Sequence, residues 1–184
     1  YTFTLKNDIT FHDGSPVTSA DVAYTIAQAQ NPEIKSTHRA DWDGVTVATP
    51  DPRTVVFTLT HPYAPFLENM TLGILPKHAW EKIGDKEFSF DALNTNPIGS
   101  GPFRVSSVKK DGSGVIVRYE LSPFAGFALG KPHLDNVTFV FFPNDTALAK
   151  ALDGEYINAI GGLSPAFLSS LSRKDLSLVR TPLP

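Results

Sequence analysis

The run from Tyr1 to Pro32 constrains the fold more than any other part of the chain, because three local signals follow one another without a gap. Tyr1, Phe3 and Leu5 alternate with polar residues, the period of a half-buried strand. His12-Asp13-Gly14-Ser15-Pro16 is turn chemistry, with Gly14 free to take positive φ and Pro16 fixing the exit. Thr18 is a good N-cap, and Asp21 three residues later completes a capping box. Val22, Ile26 and Ala29 then line one helical face, and Asn31-Pro32 ends it.

Further along, Val45–Thr49 and Thr54–Thr60 read as two strands of a hairpin about the turn Pro50-Asp51-Pro52-Arg53. The polar stretch 31–44 before them reads as a loop, pinned to the body by Trp42. Short helices are expected from Pro62 and from Leu75-Pro76, since proline is tolerated in a first turn. Residues 84–98 read as a weakly patterned connector, with a subdomain boundary near Asn96. The second part should contain strands 103–109 and 115–121 about the turn Asp111-Gly112-Ser113-Gly114. A buried strand is expected over Val137–Phe142 and a helix over 145–153, capped by Asn144 and stopped by Gly154 at C′. A short strand over Ile157–Ile160 would complete a right-handed parallel crossover. One more helix is expected from Ser164-Pro165 and one more strand over Leu176–Arg180.

Composition narrows the function classes. The 184 residues suffice for one domain or two small ones. A net charge of −3 offers no basic footprint, so nucleic acid is not an expected partner. The absence of cysteine removes disulfides, thiolate metal sites and a cysteine nucleophile. No apolar run is long enough to span a bilayer. The chain opens at Tyr1 inside a strand pattern and stops just after another, which reads as a piece of a longer protein.

Candidate chemistry is sparse. Gly99-Ser100-Gly101 invites a nucleophile reading, but the elbow motif needs glycine two residues before the serine, and Ile98 stands there. A glycine turn that brings backbone close to its surroundings fits better, with a ligand-facing backbone still open. Gly126–Lys131 lacks the spacing of a phosphate loop, and Pro132 follows the lysine. No two of the five histidines stand three or four apart, so no local metal pair exists. His12 reads as a turn histidine hydrogen-bonded to nearby backbone, ahead of a metal ligand. No cofactor, no metal site and no catalytic residue are expected.

These same residues resemble the solute-binding proteins of peptide and nickel ABC importers, the extracytoplasmic class called family 5. Tyr1, Phe3, Leu5 and Lys6, then Phe11-His12-Asp13-Gly14, Pro16-Val17-Thr18 and Asp21-Val22, fall on that family's opening pattern. Pro62-Tyr63-Ala64-Pro65-Phe66-Leu67, Ile74-Leu75-Pro76-Lys77-His78, Gly99–Phe103, Gly130–Val137 and Ala151–Ile157 match its later motifs. Asn158 stands where the family often has aspartate, and the segment before Gly130 departs from its usual form. The resemblance implies a mixed α/β chain forming most of one lobe of a two-lobed periplasmic-binding-protein-like fold. Two subdomains with mixed sheets and flanking helices are expected, at 1–95 and 96–184.

It implies no enzyme. The expected function is capture of a small solute, an oligopeptide first, by closure of two lobes, with delivery to ABC permease subunits in the membrane. The expected site is Met70, Thr71, Leu72 and Gly73, with Gly99, Ser100 and Gly101 as a backbone platform. A monomer is expected, periplasmic or extracellular, with or without a lipid anchor. A sensor domain of a transcription regulator is the alternative, and nickel chelates, oligosaccharides and opines remain open as solutes.

Overall fold

The computed structural model describes residues 1–161 and, beyond them, Phe167, Leu171 and 175–177. It is a mixed α/β chain with two small sheets and flanking helices. By contact it divides into one unit of residues 1–107 and 120–137 and a second of 108–119 and 138–184.

In the first unit, strand β1 (Thr2–Thr4), helix α1 (Ser19–Gln30), strand β2 (Val45–Asp51) and strand β3 (Thr54–Leu59) form a sheet with a helix. The strand order is β1-β3-β2, antiparallel throughout rather than mixed. Val55 and Phe57 of β3 face the core, where Val45 of β2 and Ile26 and Ala29 of α1 meet them. Trp42 and Phe66 complete this core, with ring centroids 5.8 Å apart, each within 6 Å of the Phe57 ring. The loop 31–44 is thereby pinned by Trp42, which is 2% exposed.

The hairpin turns one residue later than the sequence suggests. Asp51 ends β2 and accepts the N–H groups of Arg53 and Thr54 through Oδ1, which closes the turn. The start of α1 docks on that turn, since Ser19 donates from its N–H to Pro52 O and from Oγ to Asp51 O. Thr18 caps the helix with Asp21 as its reciprocal partner, and the expected capping box is formed. A 3-10 helix (Ala64–Thr71) replaces the short helix expected from Pro62, and helix α2 (Lys77–Trp80) follows Pro76. The connector 84–98 holds two further 3-10 turns, Phe88–Phe90 and Ala92–Asn94.

The second sheet has the order β4 (Phe103–Lys110), β5 (Ile116–Pro123), β6 (Val137–Val140). Phe124 N–H donates to Pro102 O, Ser106 Oγ to Glu120 O and Asp111 N–H to Val115 O, so β4 and β5 form an antiparallel hairpin. Asp111 Oδ1 accepts three bonds across its tip, from Ser113 N–H, Ser113 Oγ and Val115 N–H, and Gly114 takes φ +88° there.

Three expectations about this region are corrected. Val137–Phe142 is not a buried strand: among the described residues β6 has β5 as its one neighbour, and Phe139 and Phe141 are 53% and 51% exposed. Helix α3 (Asp145–Asp153) is capped by Asn144, as expected, but Gly154 is its C-cap at φ −84° and Glu155 takes the left-handed position at φ +59°. Ile157–Ile160 is not a strand, so the parallel crossover is absent among the described residues. The N–H groups of Tyr156 and Ile157 turn back to Ala151 O at the end of α3, so the segment begins as a helix-end turn. The helix expected from Ser164-Pro165 and most of the strand expected over Leu176–Arg180 lie outside the described residues.

Candidate functional site

The turn after β1 organises the site. Phe11 N–H donates to Ser15 O and Gly14 N–H to Phe11 O, and Gly14 takes φ +88°, which favours glycine there. Asp13 Oδ1 accepts from Ser15 N–H at 2.9 Å and Ser15 Oγ at 2.6 Å, holding the turn from within. Phe11 is fully buried, so the turn is anchored from below.

His12 points from this turn to Gly99-Ser100-Gly101. Its backbone N–H donates to Gly99 O at 2.7 Å. Its Nδ1 accepts the Gly99 N–H at 3.2 Å, and its Nε2 lies 3.0 Å from Gly101 O. A carbonyl can only accept, so Nε2 carries the proton and the imidazole is the neutral Nε2–H tautomer. The ring packs edge-on to Phe124, centroids 5.0 Å apart. A Cβ on Gly99 would come within 3.3 Å of His12 Cε1, so glycine is what allows this approach. With both ring nitrogens engaged by backbone, His12 is held as a structural bridge.

Asp13 faces another way. Its Oδ2 accepts from His78 Nε2 at 2.8 Å, joining the turn to α2. Partial burial pushes the Asp13 carboxyl up, but the hydrogen bonds from Ser15 and then His78 outweigh it and hold the group at about 2. Helix α1 fixes the other side of the same segment. Asp21 Oδ1 accepts the Lys77 N–H and Thr25 Oγ1 accepts the Leu75 N–H, each at 2.8 Å. Asp21 is 5% exposed and is satisfied in full, since Thr18 N–H and Thr18 Oγ1 both donate to its Oδ2.

Met70, Thr71, Leu72 and Gly73 lie at the end of the 3-10 helix and just beyond. Thr71 and Gly73 are exposed, and Thr71 Oγ1 donates to Glu68 O. Met70 and Leu72 are half-buried and border an apolar cavity of about 200 Å³. Ile26, Trp42, Val55 and Phe57 form its buried part. Two polar groups at its wall are used elsewhere: Thr25 Oγ1 donates to Asp21 O, and Asn69 Nδ2 to Asp41 O.

The two predicted segments thus make separate contacts. Gly99–Gly101 gathers around His12, and Met70 and Leu72 gather around the cavity. Sequence reasoning missed the roles of His12, His78, Asp21 and Thr25 in holding these segments. Their partners stand fifty or more residues away, where spacing carries no signal. Among the described residues no cluster of three or more His, Asp or Glu is placed to hold a metal. No described helix is long and apolar enough to cross a membrane.

Comparison with known proteins follows the same lines. The family described as bacterial extracellular solute-binding proteins, family 5 Middle, matches residues 1–182. Protein XP55 of Streptomyces lividans is 30% identical over 175 residues, covering 95% of this chain and 30% of that protein. The dipeptide-binding protein of Escherichia coli is 28% identical over 207 residues, covering 99% of this chain and 37% of that protein. Among solved structures, the oligopeptide-binding protein AppA of Bacillus subtilis, in complex with a nonapeptide, superposes with a TM-score of 0.76 at 26% identity. That match covers 86% of this chain and 31% of AppA. NikZ of Campylobacter jejuni, in complex with Ni(L-His), gives 0.75 at 26% identity over 85% of this chain and 30% of its own. The chain spans about a third of the length of the curated relatives it matches.

Proposed function

Because the chain belongs to the family 5 bacterial extracellular solute-binding proteins, we propose that it is the part of one lobe that helps an ABC importer capture a small solute, an oligopeptide first among the candidates. The family binds and does not catalyse, and the proposal extends this to the chain itself. The observation that carries it is the family match over residues 1–182 together with the docking of the family's own motifs on one another. The turn 12–16 meets Gly99–Gly101 through His12 and Lys77-His78 through Asp13, while α1 holds the 75–77 segment.

In this reading the mechanism is capture by closure. A second lobe folds over the solute, and the closed form presents both lobes to permease subunits in the membrane. Ser100 and Gly101 supply backbone groups, next to Gly99, whose own N–H and C=O are taken by His12, and Met70–Gly73 supplies the rim. The protein works as a monomer outside the cytoplasmic membrane. Binding needs no cofactor, because backbone amides and apolar side chains suffice to orient a peptide.

The test is uptake. Cells in which the gene is disrupted within this segment should lose permease-dependent uptake of a labelled tripeptide, and an intact copy should restore it. Uptake at the parental rate in the disrupted strain would overturn the reading for that solute.

A further inference from the structure

We propose that the N–H groups of Ser100 and Gly101 form a two-donor site for an oxygen acceptor of the solute, a carboxylate or a peptide carbonyl, and that His12 is the positioning residue that holds this site open. The proposal rests on the capture reading above and names the chemistry at one of its segments.

Residues 99–101 present a short set of backbone polar groups. His12 takes three of them: the Gly99 N–H through Nδ1, the Gly99 C=O through its own N–H, and the Gly101 C=O through Nε2–H. The N–H groups of Ser100 and Gly101 are left with no hydrogen-bond acceptor among the described residues. Both residues are half-buried. A half-buried N–H without a protein acceptor is satisfied by water or by a ligand. Consecutive free N–H groups are a recurrent way of holding an anion or a carbonyl oxygen.

Space and asymmetry agree. No heavy atom lies within 4 Å of where a Gly101 Cβ would stand, whereas the same position on Gly99 meets the His12 ring. The ring therefore closes one side of the turn and leaves the other open. Pro102 follows and brings no N–H, so the turn offers two adjacent donors and then none. His12 never touches the solute in this arrangement. By accepting the Gly99 N–H and donating to the Gly101 C=O it fixes the peptide planes between them, and those planes set where the two donors point.

The experiment is amide and imidazole NMR on the 15N-labelled chain. In the free protein the His12 ring should show the Nε2–H tautomer, with Nδ1 as an acceptor. An Nδ1–H tautomer or an imidazolium at neutral pH overturns the positioning role, with no variant needed. The probes are sodium acetate and Ala-Ala-Ala, the latter with a free and an amidated C-terminus. The Ser100 and Gly101 amide protons should move downfield and saturate, while that of Gly99 stays in place. A stronger response to the free carboxylate assigns the site to a solute terminus, and an equal response to both tripeptides assigns it to a main-chain carbonyl.

His12→Phe should weaken the response about tenfold, and His12→Gln, which keeps a donor near the reach of Nε2, should recover part of it. Ser100→Pro, which deletes one donor and leaves His12 in place, should weaken it as well. Saturable shifts elsewhere with Ser100 and Gly101 unmoved, or no shift anywhere with the probes at high millimolar, overturn the site. A response unchanged in His12→Phe overturns the positioning role. Each of these leaves the capture reading to be judged separately by the uptake assay.

Discussion

His78 Nε2 donates to Asp13 Oδ2 at 2.8 Å, joining a turn and a helix that stand 65 residues apart in sequence. This bond and the two from Ser15 keep the Asp13 carboxyl ionised down to about pH 2, against an ordinary value of 3.8. A carboxyl held low in the folded state contributes stability that is complete above its ordinary value. That contribution is lost as pH falls from there through the folded value. The stability gap between the parent and Asp13→Asn should therefore be level above pH 4 and shrink between pH 4 and 2. Because the group is partly exposed, solvent screening limits the gap to about 1 kcal/mol. Urea titrations across that range measure it, and a gap that widens on acidification would contradict the bond's role.

Asp21→Ala should be the costlier change. It removes the reciprocal cap of α1 and leaves the Lys77 N–H without its acceptor. A cap and a buried charged acceptor together suggest a loss of about 2–3 kcal/mol. Hydrogen exchange should also accelerate at the Lys77 amide, which separates this site from a general loss of stability.

Phe66→Ala should destabilise the first unit by about 3–5 kcal/mol. Phe66 is 1% exposed and its ring contacts those of Tyr1, Trp42 and Phe57. Denaturation followed through Trp42 fluorescence in a Trp80→Phe background reads it directly.

The apolar cavity gives a ligand prediction. An engineered apolar cavity of about 150 Å³ takes up benzene, and this one measures about 200 Å³ and is lined mostly by apolar side chains. Met70 borders it and is the sole methionine of the sequence. Benzene should shift the Met70 methyl resonance saturably, and a methyl signal unmoved at benzene saturation would show that the cavity is closed or filled.

Peptide affinity should be weak in the isolated chain. A solute held between two lobes at about 1 μM, near −8 kcal/mol, falls towards millimolar when half of that energy is absent. Calorimetry with di- to pentapeptides should show nothing tighter than about 0.1 mM. A tighter constant would place the whole site within this chain.

Sequence carried the local structure and missed the long-range ties. Thr18 with Asp21, Gly14 in its turn and Asn144 ahead of α3 were readable because cap and turn chemistry acts within a few residues. The run Val137–Phe142 misled because an apolar stretch specifies a strand without specifying what covers it, and Phe139 and Phe141 are half exposed. Ile157–Ile160 failed for a related reason: a strand needs a neighbour to pair with, and here the Ile157 N–H turns back to Ala151 O at the end of α3. His12 reads as a turn histidine bonded to nearby backbone, whereas its ring bonds Gly99 and Gly101, which the fold brings to it from almost ninety residues away.

Gln30 ends α1 and donates through Nε2 to the carbonyls of both Trp42 and Val45, each at 2.7 Å. One amide therefore bolts shut the two ends of the excursion between helix and sheet. The closure entropy of such an excursion grows only with the logarithm of its length. Residues 32–38 can accordingly be lengthened or exchanged for foreign sequence at little thermodynamic penalty, provided the amide and the indole anchor stay. That makes this bend the natural port for a grafted tag or fluorophore.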